Sequence, residues 1–176
     1  MDKVIVSENS FNSIDPYDII DSNISFINLL REEGFAGELC PEAQTSYYVD
    51  YYCSQIKNGG FSQFVYNSGW NDELNAVIRD GLEKMQAMDH LAFFNQQALV
   101  VDTYDEFELA RFLDGDYFGK NPTRDALNND DFFDIKENLI ELNANWLKGL
   151  PNLTVLSIEQ MFQAAEKILG KEINRE

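Results

Sequence analysis

Four carboxylates follow one another at helical spacing in the C-terminal half of the chain, at Asp130, Asp134, Glu137 and Glu141. We predict that residues 129–148 form one helix, on which these side chains fall within about 60° of one another. Neighbouring carboxylates are then about 4.5 to 6 Å apart along the helix axis, because each residue adds ~1.5 Å. A row of negative charge at this spacing can occupy a basic surface that otherwise binds DNA phosphates. The spacing therefore predicts ionic binding to a basic partner.

The opposite side of the same predicted helix is apolar and can anchor it to a core. Carboxylates at positions i and i+4 repel by a few tenths of a kcal/mol, so a helix selected for stability alone would interleave lysines. Lys136 lies far around the helix from the row of acids. The residues predicted to face the core are Phe132, Ile135, Leu139, Leu142 and Trp146.

The bias toward acids extends upstream of this helix. Residues 102–141, here called the acidic segment, contain twelve acids and four basic residues. We expect a partner-binding surface built from acids of this segment: Asp130, Asp134, Glu137, Glu141, Asp131, Asp102, Asp105, Glu106, Glu108, Asp114 and Asp116.

Helix stability offers a simpler explanation for part of this pattern. Carboxylates near the start of a helix are stabilised by the positive end of its dipole, and charged helix faces are often only solvated. Glu137 and Glu141 escape this explanation, because they fall well inside the predicted helix. The acids that it covers are Asp15, Asp102, Asp105 and Asp130.

The charge of the whole chain limits the class of partner. There are 31 Asp and Glu against 13 Lys and Arg, a formal net charge of -18 at pH 7. Direct binding to nucleic acid is disfavoured, because it needs basic groups that displace counterions from phosphates. A surface of one sign instead attracts basic proteins, although acidity can also serve solubility alone. With two cysteines, no long apolar run and no signal-peptide pattern at the N-terminus, we expect a soluble cytoplasmic protein without a membrane span.

Helix start and stop signals predict an all-α protein that forms a single compact multi-helix domain over residues 1–176. Asp15-Pro16 and Pro41 are typical helix openings, and the adjacent Gly59-Gly60 should interrupt the second helix. Strand signals are limited to about the first six residues, and Leu153–Leu156 is too short to predict a strand. We expect helices over residues 15–34, 41–58, 71–85, 89–100, 102–114, 129–148 and 157–170, and a short helical turn over residues 61–67.

The other chemically suggestive residues do not form a site, and we predict no catalytic, cofactor or metal residues. His90 has no partner pattern around it, and Cys53 has the setting of a small buried side chain. Asp114-Gly115-Asp116 opens like a calcium loop, but Phe118 and Asp125 depart from that pattern. The aromatic residues between positions 47 and 70 favour a core cluster, with a pocket for a small ligand as the alternative.

The turn inside that aromatic stretch resembles a bacterial all-helical family. The hallmark of that family is an Asn-Gly-Gly-Phe-x-Gln turn followed by a Tyr-Asn-Ser step. Its best understood type is an acidic DNA-mimic protein that forms a dimer. The resemblance covers about residues 47–99 and is carried by Tyr48-Val49-Asp50, Asn58-Gly59-Gly60-Phe61-Ser62-Gln63-Phe64 and Tyr66-Asn67-Ser68.

The resemblance implies a function as well as a helical fold. Proteins of the DNA-mimic type occupy the DNA-binding surface of a helix-turn-helix transcriptional regulator and relieve its repression. For this chain it implies a homodimer with such a basic regulator as its partner. Two alternatives stay open: an acidic inhibitor or immunity-type partner of another basic protein, and a small-ligand-binding domain that uses the aromatic cluster at 47–70.

Overall fold

The computed structural model describes residues 1–174, and the fold is all-α apart from one pair of short strands, as the sequence predicts. In chain order the elements are β1 (Val4–Ser7), α1 (Glu8–Phe11), α2 (Tyr17–Glu32), α3 (Pro41–Ser68), α4 (Asp72–Lys84), α5 (Met88–Val101), α6 (Glu106–Asp114), α7 (Pro122–Leu127), α8 (Asp131–Asp134), α9 (Leu139–Lys148), β2 (Leu153–Leu156) and α10 (Ile158–Leu169).

The chain forms two compact units, of which the first joins Met1–Tyr47 to the chain from Ile140 onward. In this unit β1 and β2 pair in parallel, from Val4 opposite Leu153 to Ser7 opposite Leu156. Val4 and Val6 are completely buried, so the pair belongs to the core of the unit. Leu153–Leu156 thus forms a strand that the sequence pattern was too short to predict, because pairing with a distant segment supplies its hydrogen bonds.

Local signals explain how the helices of the first unit begin. Asp15 accepts a hydrogen bond from the backbone N–H of Tyr17 at 2.9 Å, at the start of α2. Ser157 and Gln160 form the predicted capping box at the start of α10. Both helices turn an apolar face inward, with Ile19 and Ala165 fully buried.

The second unit, Tyr48–Leu139, is built around aromatic rings from α3 and α5. The rings of Tyr52 and Phe64 lie 5.4 Å apart, and Phe64 and Phe94 lie 5.9 Å apart, both edge to face. Tyr52, Phe61 and Phe64 are at most 1% exposed. The aromatic cluster is therefore a core, in agreement with the preferred interpretation of the sequence.

The prediction of one helix over residues 129–148 is wrong. The short helix α8 ends at Ile135, which has an extended backbone with ψ of 129°, and α9 begins only at Leu139. A helical wheel drawn through Asp130, Asp134, Glu137 and Glu141 therefore describes no helix in the structure.

Two further boundaries differ from the sequence analysis. The helix expected from residue 102 begins at Glu106, with Asp105 as its N-cap, and the stretch before residue 129, where no helix was expected, contains the short helix α7. Asn121 caps α7 by accepting a hydrogen bond from Arg124 N–H at 3.0 Å. A side-chain cap and a proline at the first position are together enough to start a short helix here.

Candidate partner-binding surface

Most of the predicted binding acids are exposed to solvent. Ten of the eleven are exposed, and Glu137 is half-buried. The helices that carry them differ, however, from the single ridge that the sequence predicted. Each acid must therefore be judged by its own position in the structure.

Glu137 serves as a cap for a helix far away in sequence. Its carboxylate accepts hydrogen bonds from the backbone N–H groups of Asp89 at 3.0 Å and His90 at 3.3 Å, in the first turn of α5. The N-cap residue of α5, Ala87, contributes no side-chain bond of its own. A carboxylate at this place satisfies free N–H groups and meets the positive end of the helix dipole. The position of Glu137 is thus explained by helix stability.

Other predicted acids also lie at helix starts. Glu141 is in the first turn of α9, and Asp131 is in the first turn of α8. Asp105 and Glu108 form a capping box at the start of α6, with Asp105 accepting from Glu108 N–H at 2.8 Å. The helix dipole therefore accounts for all four, including Glu141, which the sequence analysis had placed inside a longer helix.

Asp102 and Asp114 occupy the opposite ends of their helices. Asp102 is the C-cap residue of α5, and Asp114 is the last residue of α6. Both are exposed. The negative end of a helix dipole disfavours a carboxylate and favours Lys or Arg, by about 0.3–1 kcal/mol for an exposed group. Helix stability therefore does not explain these two acids, although the sequence analysis had assigned Asp102 to a helix start.

The basic residues of the acidic segment leave its negative charge largely in place. Arg124 forms an ion pair with Asp125 at 2.7 Å and donates a hydrogen bond to the carbonyl of Tyr117 at 3.0 Å. Asp125 is not one of the eleven predicted binding acids, so this ion pair of Arg124 neutralises none of them. The excess of acids over bases in residues 102–141 makes this part of the chain suited to a basic partner.

A small cleft of about 180 Å³ adjoins the Glu137 cap and includes Cys53, Lys57 and His90 in its lining. Burial lowers the pKa of the His90 imidazole, and burial raises the pKa of the Cys53 thiol. Both shifts favour the neutral form of the side chain at pH 7. A thiol kept protonated is a poor nucleophile, because the thiolate is the nucleophilic form of cysteine.

The turn that breaks α3 at Gly59-Gly60 is held by Asn128, a residue that the sequence analysis did not single out. Gly60 has φ of +81° and ψ of -179°, a conformation almost restricted to glycine. Asn128 closes the turn by accepting from Ser62 N–H at 2.9 Å, and the Tyr117 hydroxyl donates to the Gly59 carbonyl at 3.1 Å. No local pattern around Asn128 predicts this contact, because its partner Ser62 is 66 residues away.

The amide side chains around this turn contact one another. Asn58 donates to Gln63 at 3.1 Å, and both Gln63 and Asn67 donate to Gln55, at 3.0 and 2.6 Å. These amides fasten the two halves of α3 to each other across the break. These contacts are structural, since the amide side chains satisfy one another's hydrogen-bonding groups.

The fold and the charged surface define an acidic, mostly helical binding protein. The model of the DMP19-like protein family matches residues 37–150, more than half of the chain, and the chain belongs to this family. This is a DNA-mimic family, so the resemblance inferred from the sequence is confirmed at the level of the family, while the Asn-Gly-Gly-Phe-x-Gln turn as its hallmark stays a prediction. No curated protein and no solved structure matches the chain. Within residues 1–174, no helix is both long and apolar enough to cross a bilayer.

Proposed function

We propose that this chain is a DNA mimic that binds the DNA-binding surface of a helix-turn-helix transcriptional regulator and blocks the binding of that regulator to DNA. The observation that carries the proposal is the placing of Asp102 and Asp114, exposed acids at helix ends that disfavour negative charge. Because the helix dipole does not account for these two acids, we assign them to partner binding. Membership of a DNA-mimic family indicates the class of that partner.

The physical basis is competition for the same basic groups. Regulators hold the DNA backbone with Arg, Lys and helix N-termini, which bind carboxylates as readily as phosphates. A net charge of -18 also steers a basic protein toward this chain before contact. Surface charges are screened over ~10 Å at 0.1 M salt, so the affinity should fall steeply as salt is raised.

The function needs no catalytic step, cofactor or metal. The proposed protein acts in the bacterial cytoplasm, where its regulator is found, and it acts as a homodimer. Two-fold symmetry would present the acidic segment twice, as a palindromic operator presents its phosphates twice to a dimeric regulator.

The experiment is capture of the regulator on immobilised protein, with matched charge variants. A bacterial lysate is applied to three columns that carry the unchanged protein, Asp102→Lys with Asp114→Lys, and Asp2→Lys with Glu38→Lys. The last variant changes the net charge by the same amount at exposed positions outside the acidic segment. Columns are eluted first with salt and then with duplex DNA, and the eluted proteins are identified by mass spectrometry.

We expect a helix-turn-helix protein that duplex DNA releases from the unchanged and the Asp2/Glu38 columns. The Asp102/Asp114 column should retain it about tenfold less well, because two attractive contacts become repulsive. A purified regulator should then dissociate from its operator DNA when the protein is added. If duplex DNA does not release the captured protein, or if all three columns retain it equally, the proposal of DNA mimicry at this surface is overturned.

Release by salt but not by DNA would favour the first alternative, an acidic inhibitor or immunity-type partner of another basic protein. The small-ligand alternative has less support, because Phe61 and Phe64 fill the space between their neighbours and are at most 1% exposed. The buried faces of these two rings offer a ligand little to contact.

A further inference from the structure

The first unit has an apolar groove whose lining includes no residue of the acidic segment. The groove lies between α2 and α10 and encloses about 260 Å³. Its floor includes Phe26 and Met161, which are 2% and 9% exposed, and Ile158 at its edge is 52% exposed. The lining residues are Ser25, Phe26, Leu29, Ile158, Met161 and Phe162.

The lining indicates an apolar side chain of a macromolecule as the occupant, not a small metabolite. Ser25 is the one lining residue with a polar side chain. Small-molecule sites generally exceed about 300 Å³ and bring several polar groups together to orient the ligand. This groove has the size and character that one or two apolar side chains of a docking helix require.

The edges of the groove along α2 are acidic. Asp21 precedes the lining residue Ser25 by one helical turn, and Glu32 follows Leu29 by three residues, so both acids flank the apolar floor on neighbouring positions of α2. Asp18 extends the same row toward the start of the helix. All three are exposed.

Acids outnumber bases along α2, which contains Asp18, Asp21 and Glu32 against Arg31. Arg31 lies over the ring of Tyr47 at 4.9 Å, and two other cations of the unit also contact neighbours, Lys148 over the ring of Phe11 at 5.7 Å and Lys171 in an ion pair with Glu33 at 2.7 Å. Lys3 and Lys167 are exposed. The α2 edge of the groove therefore carries a net negative charge.

We propose that this groove binds a basic amphipathic helix of a partner protein. Leucine-like side chains at i, i+3 or i+4 and i+7 enter the groove, and lysines or arginines beside them meet Asp18, Asp21 and Glu32. A second copy of this chain is a poor occupant of the groove, because a symmetric contact there would place the acidic α2 edge of one copy against that of the other. The groove is a second docking surface, separate in sequence from the acidic segment.

The test uses the full chain and a fluorescently labelled synthetic peptide of about 18 residues, long enough to form a helix on binding. Leucines occupy one face of the peptide and lysines the other. One control peptide has every lysine replaced by glutamate, and another has the same composition with the leucines scattered around the helix. Binding is measured by fluorescence anisotropy for the unchanged protein and four variants.

Ile158→Glu inserts a charge into the apolar groove at an exposed first-turn position, where an acid suits the start of α10. Phe107→Glu is its matched control, since Phe107 is 83% exposed and lies in the other unit. Asp21→Asn with Glu32→Gln removes rim charge, and Asp2→Asn with Glu38→Gln removes equal charge elsewhere in the same unit.

We expect the amphipathic basic peptide to bind and both control peptides to bind far more weakly. Ile158→Glu should weaken binding about tenfold despite its added negative charge, and the rim variant about two- to fivefold. The two matched controls should bind like the unchanged protein. Equal binding by Ile158→Glu and Phe107→Glu would overturn the proposal, because attraction would then be a property of net charge alone.

A change of oligomeric state in Ile158→Glu, measured by light scattering, would also overturn it by making a second copy the occupant. The groove and the mimic surface can fail separately. Peptide binding is scored at Ile158 and Asp21, whereas regulator capture is scored at Asp102 and Asp114 with DNA as competitor.

Discussion

Glu137 and His90 make two contacts, one through the side-chain carboxylate of Glu137 and one through its backbone carbonyl. The Glu137 carboxylate accepts a hydrogen bond from the His90 backbone N–H at 3.3 Å, and the Glu137 carbonyl lies 3.1 Å from His90 Nε2. Because a carbonyl only accepts, Nε2 carries the proton and Nδ1 is an acceptor. His90 Nδ1 is buried without a hydrogen-bond partner in the described structure. One residue of the acidic segment thus fixes both the start of α5 and the tautomer of the histidine.

Removal of the Glu137 carboxylate should destabilise the fold. Glu137→Ala leaves the backbone N–H groups of Asp89 and His90 without their acceptor, and loss of such a cap costs about 0.5–2 kcal/mol. Asp134→Ala is the matched control, since Asp134 is exposed and its substitution should stay within about 0.5 kcal/mol. Urea unfolding followed by circular dichroism measures both. Equal losses in the two variants would contradict the capping role.

Charge reversal at Asp102 and Asp114 should leave folding intact or improve it slightly. Lysine at a helix C-terminus interacts favourably with the dipole, so the double variant should gain up to about 1 kcal/mol. Asp105→Lys should do the opposite and lose about 0.5–2 kcal/mol, because Asp105 caps α6. Melting temperatures of the three proteins at low salt measure the difference. A destabilised Asp102/Asp114 variant would show that these acids support the fold after all.

Substitution of Gly60 should be more harmful than substitution of Gly119. Both have positive φ, +81° and +82°, but a methyl group at Gly60 would meet the Asn128 side chain, whereas one at Gly119 has open space. We expect Gly119→Ala to cost about 1 kcal/mol and Gly60→Ala about 1–3 kcal/mol more. Denaturant unfolding measures both variants.

The contact between position 60 and Asn128 can be tested with a double mutant. Asn128→Ala removes the side chain that crowds position 60, so Gly60→Ala should cost less in that background than alone. An unchanged cost would assign the whole effect to the backbone conformation of Gly60.

Mild acid should destabilise the fold through His90. Burial lowers its pKa in the folded state, with a smaller contribution from Lys57, while Glu137 and Asp89 act in the opposite direction. The unfolded chain therefore takes up a proton near its usual pKa of about 6.5, before the folded chain does. The stability contributed by neutral His90 is present above that pH and is lost as the pH falls below it.

His90→Gln isolates this effect from the many carboxylates. Between pH 7.5 and pH 5.5 the unchanged protein should lose more free energy of unfolding than the variant, which keeps a donor for the Glu137 carbonyl but does not titrate. Parallel urea titrations at several pH values give the comparison. Identical pH profiles would mean that His90 has the same proton affinity in both states.

Local signals made much of the fold predictable. Asn71 accepts from Leu74 N–H at 2.9 Å at the start of α4, and Ser157 caps α10 as its capping box indicates. The break at Gly59-Gly60 also follows from residue type, because only glycine adopts the backbone of Gly60 without strain. In each case the signal and its partner lie within a few residues of each other.

The sequence by itself determined the helical class, the family and the excess of 31 acids over 13 bases. Only the tertiary structure decided which acids stabilise helices and which oppose them, because a helix dipole acts within a turn of its end. Glu137 caps the first turn of α5, 47 residues away at His90. Asp102 was predicted at a helix start and lies at the C-terminal end of α5. Charge is a property of composition, whereas the energy of each charge depends on contacts that no local pattern encodes.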